Sequence, residues 1–206
     1  MQKIIFALVV VLSATVLNAQ SFCGEIKYNI TIEDNSGRGM IDLLTTAFGT
    51  GQRFQICGDS YATYDQIDNL RSLYHAADNK YYLIGISKDA TLIDGSIGGA
   101  ATTNPVQKTD EKVLGHSCQK VAITTDGVTT TYYFSDDFKV NAALFSKHQF
   151  MGWAAFMTAS EGALPLKIVK EYGTQKFKVT YTATETKVKR LSEKDFELPS
   201  DITVSK

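Results

Sequence analysis

The side chains best suited to chemistry in this chain are three histidines and three cysteines, and their spacing assembles no familiar reactive centre. His75, His116 and His148 include no pair at i, i+4, and no Cys-x-x-Cys occurs, so the spacings of common zinc sites are missing. His116 and Cys118 are two residues apart and share a face if the segment is a strand. A thiol beside an imidazole can be reactive, but an inert pair on a strand surface is the simpler expectation. Gly95-Ser96-Ile97-Gly98-Gly99 only superficially resembles a serine-nucleophile elbow, because it falls in a flexible loop and not between a strand and a helix. Asp136-Asp137 follows a strand end and reads as turn or capping residues. The chain is therefore expected not to be an enzyme and to need no cofactor or metal.

The amino terminus sets the compartment. Met1-Gln2-Lys3 is a short positive region, Ile4 to Leu17 is an apolar run, and Leu17-Asn18-Ala19 ends in a small residue. This is the pattern of a secretory signal peptide over 1–19, cleaved before Gln20. The apolar run is shorter than the roughly 20 residues that span a bilayer, so no transmembrane segment is expected after cleavage. Cys23 follows Gln20-Ser21-Phe22, and the bulky Phe22 argues against lipidation. The expected location is the periplasm or the extracellular space. The remaining residues, 20–206, suit one domain with its own core.

The full chain carries 21 basic and 22 acidic side chains, a net charge of −1, with no long run of one sign. No basic stripe points to nucleic acid. Lys176, Lys178, Lys187, Lys189 and Arg190 mostly alternate and read as a solvated strand face. In an oxidising compartment three cysteines imply one disulfide and one free thiol. Strand parity puts Cys23 and Cys57 on the same face of two neighbouring strands, which favours that pair. It would close a loop of roughly 35 residues and add about 3–4 kcal/mol. Cys57 with Cys118 is the rival pairing.

Period-two alternation dominates the elements that would position these residues. Glu25 to Glu33 is a strand with Ile26, Tyr28, Ile30 and Ile32 on one side. Gly39 to Phe48 is a short apolar helix. Gln52 to Cys57, Ser60 to Gln66, Arg71 to Ala76 and Lys80 to Ser87 are strands. Asp89 to Pro105 reads as a surface loop rich in Gly, Ala and Thr. Val106 to Val113 is a strand, and Ser117 to Phe134 forms a hairpin about Asp126-Gly127, the pair that favours a tight type I′ turn. Asn141 to Ser160 breaks the strand period and fits short helices or an ordered loop. Ala163 to Tyr172 and Lys176 to Val188 return to strand, the latter with Phe177, Val179, Tyr181 and Ala183 inward.

The order of short motifs resembles a family. Val113-Leu114-Gly115-His116-Ser117-Cys118-Gln119-Lys120, the strand ending Tyr132-Tyr133-Phe134, the step Ala163-Leu164-Pro165-Leu166, and Phe196-Glu197-Leu198-Pro199 are similar to the exported GLPGLI-type and domain-of-unknown-function 4412 proteins. The chain departs from that pattern at His116, where Tyr is usual, at Phe134, near the usual Trp, and at Ala163, an insertion. The resemblance covers nearly all of the mature chain. It implies a fold like the LolA and LolB lipoprotein carriers: mainly β with short helices, a strongly curved antiparallel half-barrel around an apolar hollow, and a helical lid. It implies no catalytic residue.

The candidate site is apolar. Phe150-Met151-Gly152-Trp153-Ala154-Ala155-Phe156-Met157 combines two methionines and three aromatics into a soft, adaptable surface. It is expected either to plug the core or to lie as a lid over a pocket. Leu44 and Phe48 on the first helix form a second lid piece, and Leu164 joins the lining. Phe150, Met151, Trp153, Phe156 and Met157 are the lid candidates proper. The function expected is an exported binding or carrier module for a lipid or another hydrophobic molecule. The alternative is a structural or protein-interaction module of the cell envelope with no small ligand.

Overall fold

The computed structural model describes residues 21–205; the signal-peptide segment read from the sequence lies outside them. Thirteen strands follow in chain order: β1 (Gly24–Asp34), β2 (Gly51–Cys57), β3 (Ser60–Asp65), β4 (Leu70–His75), β5 (Lys80–Ile84), β6 (Asp89–Asp94), β7 (Thr102–Thr103), β8 (Gln107–Val113), β9 (His116–Thr125), β10 (Val128–Lys139), β11 (Ala163–Tyr172), β12 (Phe177–Val188) and β13 (Thr203–Ser205). Two short helices interrupt them, α1 (Ile41–Phe48) and α2 (Trp153–Ala159). Three 3-10 turns complete the described chain, at Ala142–Phe145, Phe150–Gly152 and Glu193–Phe196.

All strands belong to one open sheet, ordered β13-β6-β5-β4-β3-β2-β1-β12-β11-β10-β9-β7, with β8 also on β9. Neighbours are antiparallel except β13, which runs parallel to β6. The sheet does not close on itself. Its end strands are only two and three residues long, which limits the unpaired backbone each edge offers. The long central strands explain the order: β1 pairs with β12 from Gly24 to Asp34 and with β2 from Gly24 to Asn29. The β9–β10 hairpin turns at Asp126 (φ 50°) and Gly127 (φ 77°), both left-handed as a type I′ turn requires.

Alternation sorts the side chains onto two faces. The inner face carries Ile26, Tyr28 and Ile30 of β1, Phe54 and Ile56 of β2, and Val179, Tyr181 and Ala183 of β12, all buried in the main core. Phe145, Phe156 and Met157 pack onto this face from the segment between β10 and β11. The outer face has a smaller core, where Ala62 and Leu73 meet Phe196, with Leu191 and Leu198 beside it. Burying side chains of this size contributes about 1.5–3 kcal/mol each.

The Cys23–Cys57 disulfide joins β1 to β2, as parity indicated, and Cys118 is the free, buried cysteine. Nearby on the outer face Glu25 is 3% exposed. Lys189 Nζ donates to its Oε2 at 2.5 Å, Gln55 Nε2 donates at 3.4 Å, and Arg53 Nη1 lies 3.9 Å away. Burial opposes the charge on Glu25, yet these donors prevail and hold its carboxyl below the usual range. Lys189 and Lys178 are therefore paired, the latter with Glu33 at 2.8 Å, and do not simply project into water.

One stretch departs from expectation. The Gly/Ala/Thr-rich segment Asp89 to Pro105 is not a plain surface loop: it contains β6 and β7. Tertiary pairing with β5 and β9 supplies the order that its weak periodicity does not show. The Gly95 carbonyl accepts from the backbone N–H of Gln149 (2.7 Å) and Phe150 (3.2 Å), so this stretch anchors the start of the aromatic segment.

Candidate functional site

The aromatic segment is held over the inner face by its own backbone. Met151 (φ 54°) and Gly152 (φ 73°) are consecutive left-handed residues that turn the chain into α2. A Cβ on Gly152 would come within 2.9 Å of Ile123 Cγ2, so glycine allows both the turn and the close approach to β9. The Met151 conformation is strained for a side-chain-bearing residue.

Beyond this turn the segment divides into two halves. Phe156 is fully buried, stacked on Tyr132 with ring centroids 4.0 Å apart and edge-on to Phe134. Met157 is buried beside it. These two fill the core. Phe150, Met151 and Trp153 instead line a pocket of about 160 Å³ between the segment and the sheet. Tyr28, Phe54, Tyr61, Tyr81, Tyr132 and Ile168 supply most of its apolar wall. Trp153 contacts Phe54 (6.2 Å) and Tyr61 (5.5 Å) from one arm of the sheet, and Tyr132 (6.5 Å) from the other.

The pocket communicates with a larger groove of about 670 Å³. Gln52, Thr63, Ser72, Tyr81, Met151 and Lys170 line both. Phe48 borders the groove from α1, close to Tyr172 and Phe177. Leu44 is buried and borders neither space, and Leu164 lies wholly in the core while Pro165 and Ile168 of the same strand reach the pocket. The structure thus brings Phe150, Met151 and Trp153 together at the pocket. It places Phe48 at the far end of the groove, and leaves Leu44, Phe156, Met157 and Leu164 as packing.

Several polar groups in and behind the pocket are paired, while the buried His148 Nδ1 has no partner among the described residues. The Tyr28 hydroxyl donates to the Pro165 carbonyl at 2.5 Å, and Thr63 Oγ1 and Ser72 Oγ are 2.7 Å apart. Burial pushes the Tyr28, Tyr61, Tyr81 and Tyr132 phenols up, so they remain neutral. His148 is buried behind the pocket, stacked on Tyr74 with centroids 3.9 Å apart, its Nε2 2.6 Å from the Tyr61 hydroxyl. Burial lowers its pKa to about 3, only partly offset by the Gly95 carbonyl, and keeps the ring neutral.

Two groups in the lining have no partner among the described residues. Trp153 Nε1 is buried without an acceptor. Lys170 is the pocket's sole charged side chain, and burial lowers its pKa with no nearby charge to oppose the effect. Lys170 was not among the residues singled out from the sequence. The signal was available: Leu166, Ile168, Lys170 and Tyr172 alternate along β11, so a lysine falls on the apolar side.

The other groups considered for chemistry lie apart. Cys118 is buried rather than on a strand surface; its Sγ faces the His116 carbonyl at 3.6 Å, and burial raises its pKa. The His116 ring instead sets Nδ1 2.6 Å from Asp137 Oδ2 and packs on Phe138. His75 Nδ1 is 3.3 Å from Ser60 Oγ. No group of three or more His, Cys, Asp or Glu residues able to hold a metal occurs among the described residues.

No protein-family model matches the chain. No curated protein matches it either. Among solved structures the chain is similar to PNGF-II, with a TM-score of 0.53 and 14% identity over 90% of this chain. It spans 31% of the PNGF-II chain, so the likeness concerns the fold of one part of that protein. An uncharacterized conserved protein from Thermus thermophilus aligns with a TM-score of 0.46 and 9% identity, covering 89% of this chain and 90% of that one. A LolA superfamily protein from Nitrosomonas europaea aligns with a TM-score of 0.38 and 9% identity, covering 86% and 91%. The class defined by the fold is a mainly β domain built on one large open sheet with two short helices.

Proposed function

We propose that this protein is an exported binding or carrier module for a hydrophobic ligand, with no catalytic activity of its own. The sheet is strongly curved, its inner face forms the hollow, and the segment from Phe150 to Trp153 is a lid over it. The carrying observation is the 160 Å³ pocket between Trp153 and the sheet, opening into the 670 Å³ groove. A cavity of about 150 Å³ accommodates a benzene-sized apolar group, so the pair suits one end of a ligand inside and the rest in the groove.

The curvature is supported by the contacts of one ring. Tyr61 on β3 and Tyr132 on β10 are five strand steps apart, about 24 Å in a flat sheet. Both rings nevertheless lie within 6.5 Å of the Trp153 indole. Lid movement is favoured by the strained Met151 and by the exposure of its side chain (47%) at the pocket mouth. Export is favoured by the disulfide, which persists in oxidising compartments. No described helix is long and apolar enough to cross a membrane.

The test is organic extraction and mass spectrometry of the protein purified from a secreting host, alongside titration with 1-decanol followed by Trp153 emission. Trp153 is the single tryptophan of the chain, so its emission reports the pocket. Co-purifying lipid and a saturable change are expected. An extract free of lipid together with unchanged emission overturns the proposal.

A further inference from the structure

The inner pocket contains one cation with no ion pair among the described residues. Lys170 pairs with Thr130 on β10 and Val179 on β12 across the sheet, with Ile168 and Tyr172 its neighbours on the same face. Its Nζ lies 5.7 Å from the centre of the Tyr181 ring. No carboxylate is within ion-pair distance and no hydrogen-bond acceptor is in reach among the described residues. Three other partly buried lysines are paired, Lys167 with Glu111 at 2.8 Å, Lys178 with Glu33 at 2.8 Å and Lys189 with Glu25 at 2.5 Å, while Lys120 on β9 has no ion pair among the described residues. Lys170 is partly buried, and its ammonium opens onto the pocket, where an anion can reach it beside aromatic and aliphatic walls. Lys170 also borders both the pocket and the groove, so it marks where they meet.

We infer that the ligand is an amphipathic carboxylate, with its apolar chain in the inner pocket and its carboxylate on the Lys170 ammonium where the pocket meets the groove. This inference rests on the hydrophobic-ligand reading above and gives that ligand a charge. A carboxylate suits the site because Lys170 alone supplies charge to the inner pocket and can neutralise a single negative charge. The apolar wall then selects for chain length and Lys170 for the head.

The experiment compares decanoate with 1-decanol, ligands of equal chain length that differ in head charge, by titrating the full secreted chain and following Trp153 emission. The wild type should bind decanoate at least tenfold more tightly than decanol, the scale of a charge-assisted pair. Lys170→Met should abolish that preference. Lys170→Arg should retain the preference. Circular dichroism melts establish that each variant is folded, and the wild-type ratio tests the inference even if a variant is not. Decanol binding without a decanoate preference, or a preference that survives Lys170→Met, overturns the carboxylate site and leaves the hydrophobic reading standing. No response to either ligand overturns both.

Discussion

The two faces of the sheet treat their shielded charges in opposite ways. On the outer face Glu25 is buried but receives Lys189, Gln55 and Arg53, and the network ties the segment after β12 to β1 and β2. On the inner face Lys170 lies among aromatic rings with no counter-charge. A closed network is what structural burial requires. An open one lowers stability, and such departures concentrate where a chain serves a purpose other than folding. The contrast therefore separates a closed charge network on the outer face from an open charge beside the pocket on the inner face, which also carries the main core.

The largest expected effect is on the outer face. Glu25→Ala leaves Lys189 and Gln55 without their partner and Arg53 with Asp68 alone, and should lower unfolding free energy by about 2–3 kcal/mol in urea titrations. A loss under about 0.5 kcal/mol would show that the network contributes no more than a surface pair.

Next is the acid response of the inner face. The folded His148 pKa is about 3, below its ordinary 6.5, so the unfolded chain binds the extra proton first. Its contribution is complete above pH 6.5 and declines as pH falls towards 3, by on the order of 2 kcal/mol by pH 5. His148→Phe should flatten this part of the stability–pH profile. Glu25, with its lowered pKa, adds an acid loss only below about 4.5, so the two are separable.

Lys170→Met should change stability in the opposite sense to Glu25→Ala, raising it by about 1–2 kcal/mol at neutral pH. The sign follows from the lowered lysine pKa: below its ordinary range the folded state is penalised for carrying the proton, and methionine has none. A destabilised Lys170→Met would erase the contrast between the faces. The smallest effect is at the pocket mouth. Met151→Gly relieves a left-handed backbone and should stabilise by about 0.5 kcal/mol in thermal melts, while weakening the Trp153 emission response to decanol.

Much of this was legible in the sequence because a strand's two faces follow from parity alone. Ile26, Tyr28 and Ile30 inward, Cys23 beside Cys57, and the Asp126-Gly127 turn all depend on local geometry or adjacent strands. The aromatic segment was recognisable by composition, but its division was not: Phe156 and Met157 are core while Phe150, Met151 and Trp153 line a pocket. That division depends on the left-handed turn at Met151-Gly152 and on where Ile123 stands beneath it.

The sequence by itself determined the strand pattern, the face each side chain takes, the cysteine pairing that parity favoured and the absence of a familiar catalytic motif. Those properties are set by period-two geometry and by residue type within short stretches. Only the tertiary structure decided that β6 and β7 join the sheet, that Glu25 has partners and that Lys170 has none. Whether a buried charge is neutralised depends on what distant strands and the chain beyond β12 bring to it. No local rule contains that information, because electrostatic pairing across a sheet acts between residues more than 150 positions apart, as Glu25 and Lys189 are.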